Sequence, residues 1–466
     1  MTPENPRLRI HLIAACGTGM GTLACALKKM GHIVSGSDQN VYPPMSELLE
    51  RNKIQLFSGY DAKNLPSKLD LVIIGNAISR DNPEARAVMD RGLDYLSMPQ
   101  AVNRFLAHDK KIILVTGTHG KTTTSSIMAH ILAVAGEDPS FMIGGILKDY
   151  GTSFQLGQGK YIVIEGDEYD TAFFDKGPKF MHYDPFITIM TGVEFDHADI
   201  FKDLDHINSV FQKFIKKISP VSHIIACKEN ENLMDLLAEE KTSHQSYGAG
   251  GQWQVASYSP RGGRTIAQLK GPGSLLDIET AMVGNHNLLN TLACVAAARI
   301  MGIGDEKIKE ALANFSGIKR RQEIRGVKNG ITVMDDFAHH PSAVRETIRA
   351  VKPFYPDGRV IAVFEPRTNT SMRHFFQDIY PQAFCEADMV CVCNPCVKKK
   401  IPEAERFLPE KMVSDINALG VTAHHFKTPD GILEFLPSLL APNDLVLIMS
   451  NGGFENIHSR LLETIE

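Results

Sequence analysis

No apolar run in this sequence approaches the roughly 20 residues that a membrane-spanning helix needs, so no membrane span is expected. The opening residues 1–9 (MTPENPRLR) lack a signal peptide's apolar segment and lead into a strand pattern, which points to the cytoplasm. Basic charge is not in excess: 49 Lys and Arg against 54 Asp and Glu give a formal net charge of -5, which argues against nucleic acid as a partner. Cysteine forms no disulfide-like pattern. The eight cysteines are scattered through apolar stretches, as at Cys16, Cys25 and Cys294, and read as reduced core thiols. Cys391, Cys393 and Cys396 include one CxxC (CNPC), but no second ligand pair lies at a zinc-like spacing, so they read as buried strand thiols. What is present is ordinary globular composition, 43% hydrophobic and 22% charged, in a chain of 466 residues, too long for one core.

Short Ile/Val-rich runs alternate with helical patterns, the layout of parallel α/β sheets. Buried strands are predicted at residues 10–14, 71–75, 112–116, 162–165, 187–190, 223–226, 332–335, 360–364, 389–393 and 445–449. Glycine turns at residues 16–21 and 117–122 imply two nucleotide-handling domains. Residues 248–273 turn Gly/Ser/Pro-rich with alternating residues, as antiparallel hairpins do, and a fresh strand follows Lys319-Arg320-Arg321. Three α/β domains are expected, at 1–107, 108–321 and 322–466.

The strongest chemical signal is Gly117-Thr118-His119-Gly120-Lys121-Thr122-Thr123, between a buried strand and a helix with Ile127/Ile131 and Met128/Leu132 at i,i+4. Glycines let backbone N–H groups approach phosphates, the helix N-terminus adds positive potential, and Lys121 neutralises phosphate oxygens. The Thr122 hydroxyl is placed to hold Mg²⁺. Val115 stands where a full Walker A has its first glycine, so this is a shortened variant.

Acids and histidines follow the next strands: Glu165-Gly166-Asp167-Glu168, then Glu194-Phe195-Asp196-His197-Ala198-Asp199. Glu165 is the first choice for a metal ligand and His197 the second. In Gly284-Asn285-His286-Asn287, Asn285 or Asn287 is a candidate cap for a helix over 288–300, and His286 a candidate for the nucleoside. Arg320 and Arg321 suit charge spreading over a transferring phosphoryl group, or an exposed basic linker. Asp335-Asp336-Phe337-Ala338-His339-His340 fits either a two-metal hydrolase or a loop reaching back to the nucleotide. Residues 9–38 read as a Rossmann-like unit with GxGxG at Gly17-Thr18-Gly19-Met20-Gly21 and an acid at Asp38, which a dinucleotide dehydrogenase would also show.

The order GTGMG, SGSD, GTHGKTTT, EGDEYD, GNHN, RRQE, DDFAHHP resembles the Mur ligases over nearly the whole chain, most closely the branch that acts on UDP-N-acetylmuramate. The stretches FFDK, EFDHADIF, FEPRTNT and MSNGGF favour the enzymes of that branch that add the murein tripeptide L-Ala-γ-D-Glu-meso-diaminopimelate over those that add L-alanine. The resemblance implies an ATP-dependent ligase with three domains: Rossmann-like, P-loop ATPase and Rossmann-like. It implies UDP-substrate contacts at Gly17–Gly21, Ser37, Asp38, Asn76 and Ala77. ATP and Mg²⁺ contacts fall on Lys121, Thr122, Glu165 and His197, with His286, Asn287, Arg321 and Asp336 completing the cleft. Arg367, Asn369 and Arg373, on the helix predicted after strand 360–364, are the candidates for the peptide. No lysine is assignable to the carbamylated position that other Mur ligases use at a second magnesium.

Overall fold

The computed structural model describes residues 6–41, 45–198, 200–395 and 401–465. Cys396 and Asp199, both drawn into the sequence reading, lie outside the described residues. The first sheet is parallel, with β1 (Arg9–Ile13), β2 (Ile33–Asp38), β3 (Gln55–Ser58), β4 (Leu71–Ile74) and β5 (Tyr95–Ser97) in the order β3-β2-β1-β4-β5. The reversal of direction beside β1 opens a crevice at the carboxyl ends of β1 and β4, where ligands collect in such sheets.

The central sheet comprises β6 (Lys111–Thr116), β7 (Ser140–Leu147), β8 (Thr152–Gln155), β9 (Tyr161–Gly166), β12 (Ile187–Met190), β13 (His223–Cys227) and β14 (Gln245–Tyr247). Its order is β14-β13-β12-β6-β9-β7-β8, parallel except for β8, and a small hairpin of β10 (Asp170–Ala172) and β11 (Asp175–Pro178) leaves it after β9. β6 lies between β12 and β9, so the loops after all three strands share one end. The Gly/Ser/Pro-rich stretch forms an antiparallel three-stranded sheet of β15 (Gln254–Arg261), β16 (Arg264–Gly271) and β17 (Ser274–Thr280). Helix Lys121–Val134 is buried nearly all round because it lies between the sheet and helix Asn285–Ile300. The latter begins earlier than expected, and its N-cap is Gly284, so neither Asn285 nor Asn287 is the cap residue.

The third sheet runs β18-β19-β23-β20-β21-β22, from β18 (Glu323–Lys328), β19 (Ile331–Asp336), β20 (Val360–Phe364), β21 (Met389–Cys393), β22 (Thr422–Phe426) and β23 (Leu445–Met449). Only β18 is antiparallel. Every predicted buried strand is present, because a strand covered on both faces reads as a continuous apolar run. After β20 a loop replaces the predicted helix, up to the short turn His374–Phe376. Cys25, Cys294, Cys391 and Cys393 are buried as expected, Cys16 is half-buried, and Cys385 is exposed. No described helix is long and apolar enough to cross a membrane.

Candidate active site

The loop between β6 and helix Lys121–Val134 needs glycine at two points. Gly117 has φ 127° and Gly120 φ 78°; a Cβ on them would lie 2.4 Å from Thr191 Oγ1 and 2.5 Å from Asn290 Oδ1. The segment after β12 braces the loop from the side: Thr118 donates its N–H to Gly192 O at 2.9 Å, and its hydroxyl accepts the Glu194 N–H at 2.8 Å.

At the helix start, each acid of the EGDE run finds a different partner. Glu165 accepts the Thr122 hydroxyl at 2.9 Å and the Gly144 N–H at 2.7 Å. Asp167 pairs with Lys179 at 2.7 Å. Glu168 receives Lys121 Nζ on both oxygens, at 3.0 and 2.7 Å, with the two side chains 11% and 4% exposed. Lys121 also donates to the carbonyl oxygens of Gly117 and Thr118. Burial works against the Lys121 ammonium, but Glu168, Asp167 and Glu165 outweigh it and hold the group charged. The Thr122 hydroxyl and Glu165 carboxylate are the oxygen donors that a small hard cation takes. Sequence reasoning missed the role of Glu168: no local rule says which acid in such a run turns toward the lysine once Gly166 ends the strand.

His197 adopts φ 54° and packs against Tyr169 with ring centroids 4.3 Å apart, within electrostatic reach of Asp167 and Glu168. Against the cost of burial, His197, His339 and His340 hold the Asp196 carboxyl well below its usual range. The same stretch touches the third domain, where the Ala198 N–H donates to Thr370 Oγ1 at 3.2 Å and Asp196 faces His339 at 4.0 Å. His119, Glu194 and His340 meet nearby. Their ligand atoms lie within 4.8 Å of one another, and the Ser342 hydroxyl donates to Glu194 at 3.0 Å. Burial pushes His340 down to about 4; Glu194 is drawn down to about 2, with His119 overcoming the cost of its burial.

The arginine pair divides. Arg320, at φ 62°, donates to the carbonyl oxygens of Ser450 and Gly452 at 2.6 Å each, so it ties the linker to the loop after β23. Burial disfavours the Arg321 charge, which Asp336 and Glu165 support from opposite sides of the cleft; its guanidinium lies 4.8 Å from the Phe337 ring centroid. Gln322 joins the halves: its N–H donates to Asp336 at 2.8 Å and its side-chain oxygen accepts from Asn287 at 3.1 Å. His286 lies close to Arg321 and His119, its Nδ1 has no hydrogen-bond partner, and burial pushes it down to about 4.

The two-metal hydrolase reading does not survive. Asp335 and Asp336 are neighbours on one strand and point to opposite faces. Asp335 turns to His458 at 3.3 Å and Arg325 at 3.4 Å, away from Asp336, which accepts the N–H groups of Gln322 and Ala338.

In the first domain, Gly17 and Thr18 are exposed at the start of helix Thr18–Lys29, and Asn76 and Ala77 are exposed in the turn after β4. The Asp38 carboxylate accepts the Cys16 N–H at 2.8 Å and so shapes the glycine turn. Met20 and Ser37, expected at the ligand, face inward. Met20 belongs to the core, and fully buried Ser37 donates its hydroxyl to Glu84. Of the peptide candidates, Arg367 contacts Glu365 at 3.4 Å and Arg373 pairs with Glu405, so both charges have a partner on their own domain; Asn369 lies in the loop between them.

Three family models match in order along the chain: "Mur ligase family, catalytic domain" at residues 9–110, "Mur ligase middle domain" at 115–298 and "Mur ligase, glutamate ligase domain" at 320–452. The chain is 39% identical over 458 residues to the UDP-N-acetylmuramate–L-alanyl-γ-D-glutamyl-meso-2,6-diaminoheptandioate ligase of Escherichia coli, with 98% of each chain covered. It is 33% identical over 460 residues to the UDP-N-acetylmuramate–L-alanine ligase of Carboxydothermus hydrogenoformans, covering 98% of this chain and 96% of that one. The crystal structure of a murein peptide ligase from Psychrobacter arcticus matches with a TM-score of 0.71 at 35% identity over 98% of both chains.

Proposed function

Because the chain belongs to the Mur ligase family, whose members are ATP-dependent carbon–nitrogen ligases, we propose that it joins L-Ala-γ-D-Glu-meso-diaminopimelate to UDP-N-acetylmuramate in peptidoglycan recycling. The observation that carries the choice of acceptor is the similarity to the tripeptide ligase, 39% over 98% of the chain, against 33% for the alanine ligase over the same share. The compartment is the cytoplasm.

In this reading residues 1–107 hold the UDP-sugar, 108–321 hold ATP and 322–466 hold the peptide. The exposed start of helix Thr18–Lys29 and the Asn76-Ala77 turn take the UDP group, with Asp38 keeping the glycine turn in shape. Lys121 leaves Glu168 for the phosphates, and Thr122, Glu165 and His197 hold the cation. Mg²⁺, when bound, draws charge from the phosphate oxygens and lets two anionic reactants approach.

The sugar's carboxylate attacks the γ-phosphorus of ATP, ADP leaves, and an acyl phosphate forms. The tripeptide's neutral α-amine then attacks the acyl carbon and phosphate departs. Lys121 and Arg321 stabilise the negative charge that builds on oxygen in both steps, and they act strongly because each is largely shielded from water. Asp336, by gripping the Gln322 N–H, sets where Arg321 stands. The contacts of Ala198 and Asp196 with the third domain keep water from the acyl phosphate. Arg367, Asn369 and Arg373 are the candidates for the peptide's carboxylates.

The test is ADP release with UDP-N-acetylmuramate and either tripeptide or free L-alanine. Strong preference for the tripeptide in kcat/KM is expected. Preference for L-alanine would make the chain an alanine-adding ligase, and ADP release without any amine would remove the ligase reading.

A further inference from the structure

The meeting of His119, Glu194 and His340 is not used by the reaction above. His119 comes from the phosphate loop, Glu194 from the segment after β12, and His340 caps helix Pro341–Val351 of the third domain. His119 Nε2 is shielded from water and faces Glu194 Oε2 at 3.5 Å, the contact through which it draws the Glu194 carboxyl down. That spacing is close to the roughly 3.3 Å that separates two ligands held at about 2.0–2.1 Å around a tetrahedral zinc. Ser342 donates its hydroxyl to that same oxygen, Oε2, at 3.0 Å and so fixes the carboxylate's orientation, as supporting donors do at metal sites.

We propose that His119, Glu194 and His340 form a site for one transition-metal ion of the zinc class, which bridges the phosphate loop to the third domain. Two imidazoles with a single carboxylate suit zinc or cobalt, whereas magnesium takes oxygen donors and keeps much of its water. The donors are distinct from the Thr122–Glu165 pair, and no nucleotide is needed to complete them. His340 now accepts the Ser342 N–H on Nδ1 at 3.3 Å, and its Nε2 lies 3.3 Å from Phe195 O. Ligation through Nε2 moves the ring's one proton to Nδ1, gives up both long contacts and draws the ring inward. An ion held there ties two domains together and resists their separation.

The test is a Co²⁺ titration of the full-length, nucleotide-free protein, followed by the visible ligand-field bands. Saturable binding is expected, with displacement by Zn²⁺ but not by millimolar Mg²⁺. His340→Asn and Glu194→Gln should each weaken Co²⁺ by at least tenfold, on the order of what supporting contacts alone contribute. Asparagine keeps the helix cap that His340 supplies, and glutamine keeps the shape of Glu194, so a melting curve identifies the folded variants. If one variant does not fold, the other decides. Absence of saturable binding, a thiolate-to-cobalt charge-transfer band, or a folded variant that binds as tightly as the wild type overturns the site.

Discussion

Lys121 places its ammonium between both carboxylate oxygens of Glu168, at 2.7 and 3.0 Å, where only 4% of the Glu168 side chain is exposed. The cation expected to grip phosphate is therefore held by a buried carboxylate, and nucleotide must take it away. Burial pushes the Glu168 carboxyl up and Asp167 adds to this, while Lys121 opposes both. Once Lys121 leaves, that opposition is lost and the pKa rises further. Nucleotide binding should therefore be accompanied by uptake of as much as about one proton. Calorimetry in two buffers of different ionisation enthalpy measures it. In Glu168→Gln the uptake should vanish, and an unchanged uptake would sink the exchange.

Lys121→Ala should lower turnover by roughly a hundredfold or more, since it removes charge stabilisation in a water-poor site. It also strands Glu168. Breaking a buried pair at one end costs about 3 kcal/mol, so the melting temperature should fall as well. Adding Glu168→Gln should restore most of the stability and none of the activity. Near-normal turnover in the single variant would contradict the site.

Stability should also fall in mild acid. Burial holds His340 and His286 down to about 4, from an ordinary value of 6.5. Between pH 6.5 and pH 4 the unfolded chain binds protons that the folded chain refuses, so stability drops as pH falls through that window. The contribution of His340 is on the order of 3 kcal/mol. Melting curves across this range should be flatter for His340→Asn than for the wild type. Parallel curves would show that His340 does not titrate as described.

Asp336→Ala leaves the N–H groups of Gln322 and Ala338 without their acceptor. Each orphaned buried donor costs about 1–3 kcal/mol, which urea unfolding will register. Because Gln322 also receives Asn287, the variant should loosen Arg321 and reduce kcat more than it raises the KM for ATP. A stability loss with kcat intact would make Asp336 purely structural.

Arg367→Ala should erode the preference for tripeptide over L-alanine, because it removes binding to a part that alanine lacks. Comparison of kcat/KM for the two amines checks it. An equal loss for both would show that Arg367 acts through Glu365 and not on the peptide.

Much of the fold was legible in the chain, because apolar runs of four or five residues between turns have few ways to be buried. The strands at β6, β9, β12, β19 and β23 follow from that, and so does the loop that ends in Lys121. Burial needs only composition and period, which are local. Partner choice is not local. Nothing in EGDE says that Glu168 takes Lys121 while Asp167 takes Lys179, and nothing in RR says that Arg320 holds carbonyls after β23 while Arg321 faces the cleft. The sequence alone determined the strands, the glycine turns and the inventory of charged groups. Only the tertiary structure decided which of those groups meet, because a pairing across 47 or 130 residues depends on how the sheets stack, which no short stretch encodes.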